Sequence, residues 1–207
     1  MKYFSQIPLI GIIRGAETDT VEGAVTAALA GGLRTLEITL NRPEAFEQIE
    51  KIRNRFSDDM ELGAGTVLDK DSAEQAIDAG AEFIVSPAVL PDVIEYCQAR
   101  SIPVFPGALS PTEVLSAYRA GAEMVKVFPI GVLGPDYIRS LKGPFPQIPV
   151  MPTGGVTLES VGDYFKAGAD AIGVGGELFS RKWLAEKEWG SVEKAANAYV
   201  QAVRESR

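Results

Sequence analysis

Short apolar runs rich in β-branched residues alternate with amphipathic stretches along the whole chain. The runs cover residues 9–14, 35–40, 62–67, 83–87, 103–108, 124–129, 150–153 and 171–175, each bounded by Gly, Pro or polar residues, and they read as eight strands. Between and after them the apolar positions take a helical period over 18–30, 43–56, 70–79, 90–99, 111–120, 135–141, 158–167 and 192–205. Cap and first-turn signals such as Ser110-Pro111-Thr112-Glu113 and Thr157-Leu158-Glu159 mark helix entries. Ala30-Gly31-Gly32, Ala79-Gly80, Ala120-Gly121 and Ala167-Gly168 mark exits, each glycine suiting a left-handed helix C-cap.

Eight strand–helix units in 207 residues predict an α/β protein, a (β/α)8 TIM barrel forming a single domain over residues 1–207. An open doubly wound sheet satisfies the same periodicity. No linker, low-complexity tract or charge block interrupts the pattern.

Alternation within the strands places the candidate chemistry. Met124, Lys126 and Phe128 share one face and Val125 and Val127 the other, so the lysine is expected to be buried. Burial disfavours an ammonium and frees an amine able to attack a carbonyl. A lysine that snorkels to water, or that is merely ion-paired, fits the same run. In the second strand Thr35, Glu37 and Thr39 share a face, and a carboxylate inside a barrel is costly unless paired or used. A structural ion pair and a site shared with Lys126 both satisfy that requirement.

Barrel chemistry gathers at the C-terminal ends of the strands. There the first strand ends in Arg14, suited to a two-pronged grip on a carboxylate. The third ends Gly63-Ala64-Gly65-Thr66, with a hydroxyl at the mouth and glycines expected to let backbone approach a ligand. The seventh runs into Thr153-Gly154-Gly155 and the eighth into Gly175-Gly176, where barrels build phosphate sites from backbone N–H groups. Together these groups point to Schiff-base chemistry on a phosphorylated keto acid.

Composition narrows the field. Apolar content of 46% with 23% charged residues is that of an ordinary globular protein, and no segment approaches a membrane span. A net charge of −8 argues against nucleic acid as partner, while leaving small anions open to locally placed arginines. The chain contains no histidine, which removes Ser-His-Asp and Cys-His hydrolysis and His-ligated zinc. One cysteine, Cys97, and the lack of a leader pattern fit a cytoplasmic protein. Trp183 and Trp189 lie outside the repeat, free to cover the last helix or to meet a neighbouring subunit.

Ile12-Ile13-Arg14-Gly15, Leu36-Glu37-Ile38-Thr39-Leu40, Gly63-Ala64-Gly65-Thr66-Val67, Val85-Ser86-Pro87, Phe105-Pro106-Gly107, Val125-Lys126-Val127-Phe128-Pro129 and Pro152-Thr153-Gly154-Gly155-Val156 occur in that order. Over residues 9–178 the chain resembles the class I 2-keto-3-deoxy-6-phosphogluconate, 2-keto-4-hydroxyglutarate and 2-keto-3-deoxy-6-phosphogalactonate aldolases. The resemblance implies a (β/α)8 fold, a homotrimer, a small keto-acid substrate and no metal or organic cofactor. It puts Lys126 on the Schiff-base lysine, Glu37 on the general acid/base and Thr66 on a hydroxyl that binds the substrate carboxylate. It puts Thr153, Gly154, Gly155, Gly175 and Gly176 on the sugar and phosphate loops.

Three positions depart from the family pattern. Gluconate-type members carry an arginine directly after Leu-Glu-x-Thr-Leu, where this chain has Asn41 and then Arg42, whereas Arg14 matches the galactonate branch. Thr153 resembles the gluconate branch. Glu177 stands where gluconate-type members place a phosphate-binding serine and the galactonate branch has an acid, and it is expected to offer phosphate only its N–H. The activity implied is reversible cleavage of a 2-keto-3-deoxy-6-phospho sugar acid to pyruvate and glyceraldehyde 3-phosphate. The alternatives are an aldolase for an unphosphorylated 2-keto-4-hydroxy acid and a non-catalytic phosphosugar-binding barrel.

Overall fold

A computed structural model of the chain, describing residues 1–207, places a strand at each of the eight expected runs. The strands are β1 (Leu9–Ile13), β2 (Thr35–Thr39), β3 (Glu61–Gly65), β4 (Ile84–Val85), β5 (Val104–Phe105), β6 (Gly107–Ala108), β7 (Val125–Val127), β8 (Val150–Pro152) and β9 (Ile172–Val174). There are nine rather than eight because Pro106, which has no N–H to give to a ladder, divides the fifth run. Its carbonyl still accepts from the Lys126 N–H at 2.9 Å. All ladders are parallel, in a six-stranded sheet ordered β5-β4-β3-β2-β1-β9 and a three-stranded sheet ordered β6-β7-β8. Together they make an α/β fold with a curled parallel sheet. A parallel bridge between Thr153 and Gly173 ties the end of β8 to β9.

The helices are α1 (Lys2–Gln6), α2 (Thr18–Ala30), α3 (Ala45–Phe56), α4 (Lys70–Asp78), α5 (Pro91–Ala99), α6 (Pro111–Arg119), α7 (Pro135–Lys142), α8 (Val161–Lys166), α9 (Arg181–Ala185) and α10 (Trp189–Glu205). Ser110 and Glu113 form the expected capping box, while Leu158–Ser160 is a 3₁₀ turn leading into α8. Gly32, Gly80, Gly121 and Gly168 all take positive φ at helix exits. None of the helices is long and apolar enough to cross a membrane.

Strand alternation sorts the core into two layers. Leu36, Ile38, Val125, Val127, Val150 and Ile172 pack outward with the helices in one cluster of 53 buried residues. Ile10, Ile12, Phe83, Phe105, Met124 and Met151 belong to a separate inner cluster. The Trp189 indole lies against Gly23 of α2, so it covers α2 within the same chain. Cys97 is fully buried, and burial pushes its thiol up to about 11, the behaviour of a small apolar side chain.

The helix α1 was not evident from the pattern and is held by one carboxylate. Glu61 at the start of β3 accepts from the N–H groups of Tyr3 (3.1 Å) and Phe4 (2.9 Å), and Phe4 stacks at a tilt on Phe105, 5.8 Å between ring centroids. Glu61→Ala is expected to cost about 1–3 kcal/mol in urea unfolding, because two donors lose a charged acceptor.

Candidate active site

Lys126 sits at the centre of β7, flanked in register by Gly107 of β6 and Met151 of β8. It is 2% exposed, and its Nζ lies 5.1 Å from the centroid of the Phe128 ring two residues along the same face. Burial pushes its pKa below the ordinary lysine value; the nearby Glu37 works against that shift and Arg14 adds to it. The amine is thus biased toward its neutral, nucleophilic form.

Glu37 is equally buried, at 1% exposure, between Ile12 of β1 and Gly63 of β3 in register. Neither carboxylate oxygen has a hydrogen-bond partner within the chain. Burial raises its pKa, and the positive charges of Lys126 and Arg14 pull it back only in part. An unpartnered buried carboxyl is costly, and a site that holds one keeps a group ready to exchange protons.

Gly65 makes room for that carboxyl. A Cβ there would stand 2.3 Å from Glu37 Oε1, and Gly65 pairs with Thr39, two residues nearer the strand ends, so the Glu37 side chain leans toward the C-terminal mouth. Gly63 likewise yields to the Phe83 ring, 2.3 Å from its hypothetical Cβ. These glycines therefore accommodate neighbouring side chains. Gly65→Ala is expected to displace the Glu37 carboxyl and lower turnover by about 10²-fold with an unchanged far-UV circular dichroism spectrum.

Above the amine opens a cavity of about 410 Å³. Thr153, Gly154, Gly155, Gly175, Gly176 and Glu177 line it, as expected for the seventh- and eighth-strand loops, together with Arg14 and Phe128. Gly154 and Gly155 take φ of +81° and +95°, a conformation that side-chain-bearing residues rarely adopt. Thr153 is 2% exposed and its hydroxyl donates to the Met151 carbonyl at 3.3 Å. Lys126 and Glu37 do not themselves line this opening; Phe128, whose ring lies by the Lys126 amine, and Arg14, whose charge both groups feel, connect them to it.

Thr66, like Lys126 and Glu37, is not among the residues that line the cavity. It is half-buried at the end of β3 with φ of +58°, an outlier for a β-branched residue, and the ladder bonds Leu40 N–H to Gly65 O (2.8 Å) and Val67 N–H to Val85 O (3.2 Å) hold it there. Of the two candidate arginines, Arg42 is half-buried and paired with Glu44 at 3.4 Å. Arg14 lines the cavity, and its charge is felt by both Glu37 and Lys126. A second cavity, about 670 Å³, shares Arg14 with the first and continues past Asn41 to Lys187.

One residue of this region went unnoticed in the sequence. Arg181, at the start of α9, lines both cavities. A cation a few residues past Gly175-Gly176, opposite in charge to Glu177, was the available signal.

Parallel strands that bring a buried amine and a buried carboxyl together beneath a glycine-lined cavity define a lyase of the aldolase type. Residues 2–195 match the family model described as KDPG and KHG aldolase. The chain is 34% identical over 207 residues to the 2-dehydro-3-deoxy-6-phosphogalactonate aldolase of Escherichia coli (strain K12), covering 100% of this chain and 99% of that one. A solved structure titled native KDPGal is 33% identical with a TM-score of 0.91, covering 97% of this chain and 96% of that one. The KDPG aldolase of Legionella pneumophila, solved with pyruvate captured at low pH as a covalent carbinolamine intermediate, is 27% identical with a TM-score of 0.86, covering 95% and 96%. The chain belongs to the KDPG and KHG aldolase family.

Proposed function

We propose that the chain cleaves a 2-keto-3-deoxy-6-phospho sugar acid of the gluconate or galactonate type, reversibly, to pyruvate and glyceraldehyde 3-phosphate. The observation that carries this reading is the pair of buried groups: an amine biased toward its neutral form next to a carboxyl with no partner. The covalent pyruvate adduct of the Legionella relative supports the same chemistry.

Lys126 Nζ adds to the C2 keto carbon, and Glu37 moves protons as the carbinolamine loses water to an iminium. Glu37, or a water it orders, then takes the C4 hydroxyl proton. The C3–C4 bond breaks, its electron pair flows into the iminium to form an enamine, and glyceraldehyde 3-phosphate leaves as the aldehyde. Protonation at C3 and hydrolysis release pyruvate and regenerate the amine. Arg14, with Thr66, anchors the carboxylate, and Thr153 faces the sugar chain. Gly154, Gly155, Gly175, Gly176 and the N–H of Glu177 approach the phosphate.

The bridge from Thr153 to Gly173 and the short break at Pro106 support closure of the two sheets into one (β/α)8 barrel, a single domain over residues 1–207. The reading includes a cytoplasmic homotrimer that needs no metal or organic cofactor. Glu177 at the cavity rim favours a second reading, an aldolase for 2-keto-4-hydroxyglutarate, since a carboxylate there repels phosphate.

Borohydride reduction in the presence of pyruvate tests the mechanism, with a stable adduct expected on Lys126. An adduct on another lysine, or none, would sink it. Cleavage of the gluconate, galactonate and unphosphorylated substrates side by side, followed by a pyruvate-linked assay, decides the substrate.

A further inference from the structure

We propose that Arg181 is a specificity-determining residue, the counter-charge for the substrate's phosphate, and that it offsets the repulsion of Glu177. The proposal rests on the aldolase reading above and deepens it at the far end of the substrate.

Three charged residues line the cavity above the amine: Arg14, Glu177 and Arg181. Arg14 is committed to the amine end, where its charge acts on Lys126 and Glu37, whereas Arg181 contributes to neither shift. A phospho sugar acid brings a carboxylate at one end and a phosphate dianion at the other. With Arg14 on the carboxylate, the phosphate end without Arg181 would hold only backbone N–H groups and an opposing carboxylate.

Arg181 is free for this task. Its neighbour Lys182 faces Glu186 at 3.8 Å and Lys187 is bound to Asp19 at 2.9 Å, but Arg181 makes no ion pair or side-chain hydrogen bond within the chain. It is exposed and its guanidinium is unpaired, while the backbone that carries it is fixed. The turn that carries it is firm: the N–H groups of Leu178 and Phe179 both donate to the Gly175 carbonyl, at 2.9 and 2.8 Å, and both side chains are buried. Ser180 then caps α9 by accepting from the Trp183 N–H. Gly175, Gly176, Glu177 and Arg181 thus belong to one anchored turn at the rim, and a planar guanidinium suits two phosphate oxygens at once.

The test is condensation of pyruvate with glyceraldehyde 3-phosphate and with unphosphorylated glyceraldehyde, read as the ratio of the two kcat/KM values. Arg181→Met is expected to lower that ratio by about 10- to 100-fold, the range for loss of a charge-assisted hydrogen bond. Arg181→Lys should restore part of the preference, and Glu177→Gln should raise it. The borohydride-trapped pyruvate adduct, which involves no phosphate, reports whether each variant keeps a working lysine site. An unchanged ratio in Arg181→Met, or equal losses on both aldehydes, overturns the role of Arg181 while leaving the aldolase reading in place. A wild-type protein that forms no pyruvate adduct overturns the underlying reading and this proposal with it.

Discussion

Replacement of Lys126 by methionine is expected to lower kcat by at least about 10⁴-fold and to abolish the borohydride-trapped pyruvate adduct. No other amine can take over. Lys126 is the lysine buried beneath the cavity, and lysines such as Lys142, Lys182 and Lys187 are tied up at the surface in ion pairs with Asp170, Glu186 and Asp19. The fold should survive the change, since methionine replaces the lysine stem on the face it shares with Met124, beside Met151 in register, without a charge to desolvate. Single-turnover assays with intact-mass measurement after reduction check both halves of this expectation.

Glu37→Gln is expected to lower kcat by about 10²- to 10⁴-fold, because proton transfer during dehydration and C3–C4 cleavage loses its positioned acid/base. Trapping with pyruvate and borohydride should still mark Lys126, only more slowly. The pH dependence carries a definite sign. Burial depresses the Lys126 pKa, and the Glu37 carboxylate partly restores it. Removing that negative charge therefore lowers the lysine pKa further, so the rise of adduct formation with pH should move to lower pH in the variant. A rate profile that stays in place, or moves to higher pH, would show that the two groups do not share a site.

Strand alternation is a local property, which is why so much was legible before any coordinates. A period of two puts Lys126 with Met124 and Glu37 with Thr35 and Thr39 on one face whatever the rest of the chain does. The inner and outer clusters follow that division. The helix exits, the capping box at Ser110 and the glycine turns after Thr153 and Val174 were legible for the same reason. The break at Pro106 was not read, although a proline inside a strand is a local warning.

What the sequence by itself determined is the set of inward-facing chemical groups and the order of the elements that carry them. Tertiary structure decided which distant groups act together. Arg14 and Arg181 lie far apart in the chain, yet β1 pairs with β9, Leu9 beside Ile172, so the segments that follow those two strands share one rim. Arg42, close to Glu37 in sequence, turns instead to Glu44. Gly63 and Gly65 proved to serve Phe83 and Glu37, side chains on neighbouring strands. Electrostatic and steric partnerships depend on distances of a few ångströms across the sheet, and those distances are set by register and strand order rather than by spacing along the chain.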